Sequence, residues 1–373
     1  MPEMPRGDRS AVPGCASEMT DLLLVCIGAT AGLRAAEGEL EASLERAGAS
    51  VARVTAVPPR EVRTFMATDL TWALAARRAA VAGLAAGRPR AIVYSSTTAA
   101  LLWPRSGAIR FDALAAETRP GRHGLWQRPV EARRLRQASL LVPWTPGALP
   151  RPSVVVPIAV EPSGPARTRD IAAVTYGAHW HKKGLDRVLA AWSVVGGLGA
   201  TAAPCAGPGE LGATVASHAG ELVVTGVDAA LVADAWAAGG GAGPLPASVR
   251  VTGPLAPEAY RALLRRTRVF VTAPRREDYG IAQLEALADG CALVTTAAPG
   301  PYAALPLARA LDRRLVVEDA EDVAGLAAAL RAALDEPAVD YAARASAALA
   351  PFTRAAVDRV VAEELVPRLL GDP

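Results

Sequence analysis

Two glutamates, Glu277 and Glu285, lie eight positions apart on either side of a glycine. The Ala- and Leu-rich run after Gly280 predicts a helix that begins at about that residue. The backbone N–H groups of Gly280, Ile281 and Ala282 are then unpaired donors at the positive end of a helix, where phosphate binds readily. Gly280 has no Cβ and is expected to let the phosphate approach. Because two carboxylates would repel a phosphate, we expect them to accept hydrogen bonds from sugar or ribose hydroxyls, which indicates a site for a nucleotide sugar.

A second candidate segment, residues 177–184, reads Gly-Ala-His-Trp-His-Lys-Lys-Gly. A strand is predicted to end at Gly177, and a helix to begin near Lys183. Lys183 can place its ammonium beside a diphosphate and stabilise the negative charge that develops on a leaving group. Lys182 and the two histidines are candidates to assist.

Both segments need a scaffold that brings strand ends together, and the chain alternates strand and helix patterns throughout. The predicted strands are near-continuously apolar, which is typical of parallel sheets covered on both faces. In the first half, strands are predicted at Asp21–Cys26, Val51–Thr55, Ala91–Tyr94, Ala108–Phe111 and Ser139–Val142, and helices up to about Arg46 and over Trp72–Ala86.

A second series of strands follows a Pro-rich stretch. These strands are predicted at Ala172–Tyr176, Leu222–Thr225, Val249–Thr252, Val269–Thr272, Ala292–Thr295 and Leu315–Val317. The boundary falls at Pro157–Asp170, which lacks periodicity. We therefore expect two α/β domains with a ligand cleft at the carboxyl ends of their strands, and a terminal helix over Ala355–Leu370.

Composition excludes several classes of protein. The chain has 373 residues, of which 51% are hydrophobic and 21% charged, so it is long and apolar enough to bury the cores of two domains. A net charge of +3 does not indicate a nucleic-acid-binding protein. Four scattered cysteines fit reduced thiols, and the N-terminal region has neither a signal peptide nor an apolar run long enough to cross a bilayer. These features predict a cytoplasmic protein whose first 19 residues form a flexible tail.

The order of motifs resembles family-four retaining glycosyltransferases of the GT-B fold, which belong to glycosyltransferase group 1. The resemblance rests on Gly177 to Gly184, on Val-Thr-Gly-Pro-Leu ending at Leu255, and on Glu-Asp-Tyr-Gly-Ile-Ala-Gln-Leu-Glu from Glu277 to Glu285. It covers roughly residues 155–317 and is weak before residue 139. It implies two Rossmann-like domains facing across a cleft: an acceptor domain at 20–157, a nucleotide-sugar domain at 158–352, and a C-terminal helix at 353–373 that returns to the first domain.

The resemblance also implies roles for individual residues. In this family, the residue matching Glu277 lies by the transferred sugar and the diphosphate, the one matching Glu285 binds the ribose, and the one matching Lys183 contacts the diphosphate. The backbone around Gly253 to Leu255 meets the nucleobase. We take Lys183 and Glu277 as catalytic, and the donor-binding set as Gly177, Lys182, Gly253, Leu255, Arg276, Tyr279, Gly280, Ile281, Ala282 and Glu285. The family needs no metal, which suits the absence of an Asp-x-Asp motif, and we expect no cofactor besides the donor.

Two departures from the family pattern bear on activity. Ala178 stands where the family usually has an arginine, for which Arg275, Arg276 or Lys182 is a candidate substitute. Phe111 stands where the first domain usually has a histidine beside an aspartate, here Asp112.

Three functions follow as hypotheses. The first is transfer of a sugar from a nucleoside diphosphate to an acceptor hydroxyl. A nucleotide-sugar epimerase or phosphorylase on the same fold and a non-catalytic binding protein are the alternatives. Six arginines between residues 119 and 136 point to an anionic or lipid-linked acceptor and to peripheral membrane contact, or form only a solvated basic face.

Overall fold

The first domain is a five-stranded parallel sheet with helices on both faces. The computed structural model describes residues 20–60, 62, 64–147, 151–200, 220–336 and 338–371. The strands lie in the order β2-β1-β3-β4-β5. The elements are β1 (Leu22–Cys26), α1 (Ala31–Arg46), β2 (Val51–Thr55), α2 (Phe65–Ala86), β3 (Ala91–Tyr94), α3 (Thr97–Ala100), β4 (Ala108–Phe111), α4 (Ala115–Thr118), a 3₁₀ turn (Gly121–Gly124), α5 (Gln127–Gln137) and β5 (Leu141–Pro143).

The second domain is a six-stranded parallel sheet in the order β11-β10-β9-β6-β7-β8. Its elements are β6 (Ile171–Tyr176), α6 (Trp180–Lys183), α7 (Leu185–Ala200), β7 (Leu222–Thr225), α8 (Ala229–Ala238), β8 (Val249–Gly253), α9 (Pro257–Arg266), β9 (Thr267–Thr272), α10 (Ile281–Ala288), β10 (Ala292–Thr296), α11 (Ala304–Leu311), a 3₁₀ turn (Arg313–Leu315), β11 (Val316–Val317), α12 (Val323–Asp335), α13 (Tyr341–Ala348) and a further 3₁₀ turn (Ala350–Phe352).

The strand sequences account for the sheets, since their side chains are buried on both faces. All five residues of β1 are at most 1% exposed. Such continuous burial is what parallel sheets between two helical layers require. The predicted fold of two parallel α/β domains is confirmed, whereas α2 begins seven residues before the expected Trp72 because the Thr64 hydroxyl caps it by accepting from the Ala67 amide.

The crossover between the domains is extended and hydrogen-bonded at both ends. The amides of Val154 and Val156 donate to carbonyls of β5 in the first domain. Beyond them, the Ile158 amide donates to the Tyr279 hydroxyl at 2.9 Å, and the Val160 amide donates to the Phe352 carbonyl at 2.8 Å. The segment at the predicted domain boundary is thus hydrogen-bonded to both domains.

The chain ends in consecutive helical segments that pack against the first domain. These are α14 (Arg354–Val360), a π-helical turn (Val361–Leu365) and α15 (Val366–Leu370). Val357, Val361 and Leu365 share a core with residues of β1 and α1. Asp358 accepts hydrogen bonds from Ser43 and Arg46 of α1, at 2.5 and 2.7 Å.

Among the described residues, no helix is long and apolar enough to span a membrane. Cys26 and Cys291 are buried, and burial raises the pKa of each thiol to about 12, so both are protonated at neutral pH. Cys15, Cys205 and the predicted tail at 1–19 lie outside the described residues.

Candidate active site

The two residues predicted to be catalytic form an ion pair with each other. Lys183 Nζ lies 2.6 Å from Glu277 Oε2, and their side chains are 19% and 5% exposed. Gln283 Nε2 donates to the same carboxylate oxygen at 3.0 Å. The sequence indicated a lysine for the diphosphate and a glutamate for the sugar, and the structure brings these two groups into direct contact.

Two loops at the carboxyl edge of the sheet position this pair. The loop after β6 carries Lys183 in the short helix α6, and the loop after β9 carries Glu277. The Arg275 amide donates to the Lys182 carbonyl at 2.9 Å, and the Arg275 guanidinium forms two hydrogen bonds with Asp186, at 2.8 and 2.6 Å. These contacts hold the lysine loop against the glutamate loop.

The backbone of the lysine loop is strained at one residue. His179, at the start of α6, has φ 56° and ψ 56° and is the one non-glycine residue in the described part of the chain with positive φ. Gly184, at the other end of α6, is also left-handed, and a Cβ there would collide with the Ala273 carbonyl. Left-handed backbone at a bulky residue persists only where the surroundings enforce it, and it is found often at functional sites.

The structure discriminates among the candidates for the missing family arginine. Arg275 is bound by Asp186 and donates to the His181 carbonyl. Lys182 and Arg276 instead share Asp278, at 2.5 and 2.8 Å. Although burial alone would raise it, the pKa of Asp278 is held below its ordinary value by these two cations. Lys182 and Arg276 therefore remain as the candidate cations beside the Lys183–Glu277 pair.

Helix α10 begins beside this cluster, and no side chain caps its first turn. The amides of Ile281 and Ala282 are thus available to an anion. Gly280 has φ 93°, and a Cβ there would lie 3.0 Å from the ring of Tyr302. The left-handed backbone and the Tyr302 ring are thus two reasons for a glycine at this position, and its role in admitting a phosphate stays a prediction.

Glu285 lies on the second turn of α10, in a mostly buried position. Burial raises the pKa of its carboxyl group. Arg261 lies 3.5 Å away, but its guanidinium is bound more closely to Asp289, at 2.7 Å, and to the Glu161 carbonyl, at 2.6 Å. Glu285 is therefore only partly neutralised and retains the capacity to accept from hydroxyls.

The remaining predicted donor residues divide into two groups. Gly177 directly follows β6, Gly253 ends β8, and Leu255 comes two residues later, so all three lie at the same edge of the sheet as the ion pair. Tyr279 is different: its side chain is 3% exposed, its hydroxyl accepts from the Ile158 amide, and its ring meets Trp144 edge-on at 5.2 Å. Its side chain joins the domains and does not face the cleft.

The first domain contributes an acidic wall to the cleft. Asp112 follows β4, and burial together with the nearby Asp278 carboxylate raises its pKa. Arg276 reaches across the cleft to Glu117 at 3.2 Å. Phe111, in the place of the family histidine, is 1% exposed and belongs to the sheet core. Asp112 thus lies close enough to the Lys182–Asp278 pair to be influenced by both of its charges.

Sequence reasoning missed Gln283 and Asp278 as part of this cluster. A signal was available, because Lys182 and Lys183 are the only two lysines among the 40 basic Lys and Arg residues of the chain. Since every other Lys or Arg position of the chain holds arginine, the two lysines single out this segment as a candidate site. In the part of the chain that the structure describes, no group of three or more His, Cys, Asp or Glu side chains is placed to hold a metal ion.

Comparison with known proteins supports the same reading of the fold. Residues 242–348 match the model of the family described as Glycosyl transferases group 1. No curated protein sequence matches the chain. Among solved structures, a sucrose-phosphate synthase from Thermosynechococcus elongatus is similar with a TM-score of 0.66 at 14% identity, covering 95% of this chain and 100% of that one.

Two further structures resemble the chain. WaaG, a glycosyltransferase involved in lipopolysaccharide biosynthesis, has a TM-score of 0.66 at 13% identity, covering 95% of this chain and 100% of WaaG. The pneumococcal O-GlcNAc transferase in complex with UDP and GlcNAc has a TM-score of 0.50 at 10% identity, covering 75% of this chain and 57% of that one. The chain therefore has the GT-B fold, and the group 1 segment in its second domain supports glycosyl transfer as its activity.

Proposed function

We propose that this protein transfers a sugar from a nucleoside-diphosphate sugar to an acceptor hydroxyl, with retention of anomeric configuration and without a metal. The observation that carries the proposal is the buried Lys183–Glu277 pair beside the uncapped start of α10. A cation and free amides suit a diphosphate, and a carboxylate at the same point suits sugar hydroxyls. The pneumococcal O-GlcNAc transferase, which is similar in fold, binds UDP and GlcNAc.

The proposal gives each residue a role. The diphosphate lies at the amides of Ile281 and Ala282, and Lys183 moves from Glu277 to the phosphate oxygens. There it stabilises the negative charge that grows as the bond from sugar to phosphate breaks. Glu277, released from the lysine, accepts from the sugar hydroxyls. Glu285 accepts from the ribose.

The backbone of Gly253 and Leu255 meets the nucleobase, and Gly177 borders the donor. Three cations stand close to the proposed diphosphate: Lys182, Lys183 and Arg276. Each is paired with a carboxylate in the free protein, so we propose that they turn from Glu277 and Asp278 to the diphosphate and there supply the stabilisation that a divalent cation would otherwise give. This is why the proposed reaction is metal-independent.

The acceptor enters from the first domain. Asp112, with its raised pKa, is placed to accept a hydrogen bond from the attacking hydroxyl. Closure of the domains excludes water, so that the sugar passes to the acceptor and is not hydrolysed. We propose an anionic or lipid-linked acceptor, a cytoplasmic location and contact with a membrane surface, on the strength of the Arg-rich segment of the first domain.

A second candidate function is nucleotide binding without turnover. It is favoured by the direct neutralisation of Lys183 by Glu277, together with Ala178 and Phe111 in the places of a family arginine and histidine. An epimerase on this fold would instead use a first-domain acid or base, and Asp112 is the residue present. Binding and turnover must therefore be measured separately.

The test is calorimetric titration with UDP, GDP, ADP and TDP and their sugar conjugates. We expect one diphosphate to bind the wild type and to bind Glu285→Ala and Lys183→Ala at least about tenfold more weakly, since each loses a direct contact. Glu258→Ala, which removes an exposed glutamate on α9, is the matched control and should bind like the wild type. If no diphosphate binds at millimolar concentration, the donor site is wrongly assigned.

Turnover and stereochemistry are then measured with the sugar nucleotide that binds. Release of the diphosphate, with the anomeric configuration of the product read by NMR, separates retention from inversion. Tight binding without release of the diphosphate would favour the non-catalytic function.

A further inference from the structure

The outer face of helix α2 carries a stripe of exposed apolar side chains. Met66, Leu70, Leu74 and Val81 are spaced by four, four and seven residues, so they share one face, and each is 38% to 47% exposed. Val57, in the loop after β2, is 79% exposed. Single exposed apolar residues are ordinary, but a contiguous set on one face marks a contact surface.

An open groove of about 670 Å³ runs along this stripe, between the edge strand β2, the loop after it and α2. Its apolar walls include Val54, Pro58, Pro59 and Leu74, and Leu74 also belongs to the stripe. The groove and the stripe therefore form one continuous apolar surface, large enough to receive an alkyl chain or several inserted side chains.

The charges around this surface are positive. Arg60 and Arg78 line the groove, both are exposed, and neither forms an ion pair with another described residue. The one acidic residue of α2, Asp69, is 4% exposed and is bound by Arg119 at 2.7 Å. No acidic side chain of α2 thus faces the solvent beside these arginines.

The 3₁₀ turn after α4 extends the same surface. Trp126 Nε1 donates to the Met66 carbonyl at 3.3 Å, which ties the segment after this turn to the start of α2, with Leu125 as the preceding residue. Leu125 is 62% exposed, and Arg122 in the same turn is exposed. The Arg-rich segment of the first domain therefore contributes to this face as well as to the interior.

We propose that this face, composed of the stripe, the groove, Arg60, Arg78, Arg122 and Leu125, docks onto an anionic phospholipid bilayer. Exposed apolar side chains on a helix enter the boundary between headgroups and acyl chains, and nearby arginines are attracted to anionic headgroups. A second copy of the chain fits less well, because a two-fold interface would place arginine opposite arginine. The face is thus complementary to a bilayer, which has negatively charged headgroups over an apolar interior.

The position of the face relative to the cleft adds to the argument. Strand β2 ends at Thr55 on the carboxyl edge of the sheet, which is the edge that borders the cleft, and the loop with Val57 and Arg60 follows directly. Docking there holds the first domain with its cleft beside the bilayer. For the proposed glycosyltransferase, and resting on that function, a lipid-linked acceptor would then reach the donor without leaving the membrane.

Vesicle sedimentation with the full chain tests the docking. The vesicles are phosphatidylcholine with about 30 mole per cent phosphatidylglycerol, or phosphatidylcholine alone. We expect binding to the anionic vesicles at about 0.1 M salt, with most of it lost at about 1 M salt, where the charges are screened. Leu70→Asp with Leu74→Asp should weaken binding at least about tenfold, and Arg60→Ala and Arg78→Ala about fivefold each.

Two control variants lie on the second domain. Leu231→Asp replaces a side chain that is 43% exposed on α8, and Arg167→Ala removes an exposed arginine; both should bind vesicles like the wild type. Unchanged binding by the double aspartate variant, or no binding of the wild type to anionic vesicles, would overturn the proposal. A wild-type dimer that the double variant dissociates in size-exclusion chromatography would assign the face to a second copy. Diphosphate binding is measured without vesicles, so failure of the donor site is distinguished from failure of docking.

Discussion

The Lys183–Glu277 pair sets the energetics of the site before any substrate arrives. A buried carboxylate costs free energy unless a cation or hydrogen-bond donors accompany it, and here Lys183 and Gln283 supply both. Under the proposed function, a diphosphate binds Lys183, Glu277 loses that partner, and the sugar hydroxyls must replace it. Donor binding is therefore coupled to the sugar, since a bare diphosphate leaves the carboxylate less satisfied.

Lys183→Met tests this coupling through stability. It leaves the buried Glu277 without its cation, which we expect to lower the free energy of unfolding by roughly 3 kcal/mol. Adding Glu277→Leu removes the isolated charge and should restore most of that loss, while donor binding stays absent in both variants. Chemical denaturation measures the stability. Equal stability of the single and double variants would show that the pair carries no buried charge.

The neighbouring residue, Lys182, provides the matched control for Lys183→Met. Lys182 is 41% exposed, and its partner Asp278 keeps Arg276 when the lysine is removed. Lys182→Met should therefore cost at most about 1 kcal/mol.

Glu285 gives a pH-dependent prediction. Because burial raises its pKa above the ordinary 4.5, the native state keeps a proton that the unfolded chain has lost, and stability falls as pH rises through that interval. Glu285→Gln should therefore have a higher Tm than the wild type at neutral pH, and the difference should vanish below pH 4.5. The same substitution should weaken donor binding. A variant less stable than the wild type at neutral pH would contradict this sign.

At the scale of elements, the site depends on two helix starts that have unusual backbone. Helix α6 begins at left-handed His179, and α10 begins at left-handed Gly280. Neither is recognisable from composition. The strand positions were predictable to within about two residues because their burial leaves a continuous apolar signature. The positive φ angles and the capping of the helices were not predictable, because they depend on neighbours such as Tyr302 that are distant in sequence.

Gly280→Ala tests the start of α10. The added methyl group meets the Tyr302 ring and the left-handed backbone at once, so we expect a loss of about 2 kcal/mol and weaker donor binding as the first-turn amides shift. Gly48→Ala is the control, since Gly48 has φ 87° but nothing within 4 Å of a new Cβ. It should lose about 1 kcal/mol and keep donor binding. Equal losses at both glycines would show that Tyr302 does not matter.

At the scale of the whole molecule, three aromatic and cationic side chains join the domains at the crossover. Arg110 of β4 lies over the Trp144 ring at 4.8 Å, and the Trp144 ring contacts the ring of Tyr279 in the loop after β9. Burial lowers the pKa of Arg110 to about 10. The two domains and their order were predictable from periodicity and the Pro-rich boundary. The contacts between them were not, since Arg276 and Glu117 are 159 positions apart and only the folded chain pairs them.

Tyr279→Phe tests this junction. It leaves the Ile158 amide without its acceptor, so stability should fall by about 1 to 2 kcal/mol. Tyr341→Phe is the matched control, because the Tyr341 hydroxyl accepts from the buried Leu293 amide within one domain. Only Tyr279→Phe should increase the radius of gyration in small-angle scattering and weaken donor binding. An equal increase in the radius of gyration in both variants would show that the loss of any such buried hydrogen bond expands the protein, and that the domain junction is not special.

The confinement of lysine to Lys182 and Lys183 has a chemical consequence. A reagent specific for primary amines meets only two side-chain targets in this protein, both at the proposed diphosphate position. The Lys183 side chain is 19% exposed and paired with Glu277, whereas the Lys182 side chain is 41% exposed and more accessible to acylation. The yield of modification, followed by mass spectrometry, therefore reports how much of the cleft is occupied. A lysine-specific protease, for its part, has cleavage points only inside the second domain, between β6 and α7.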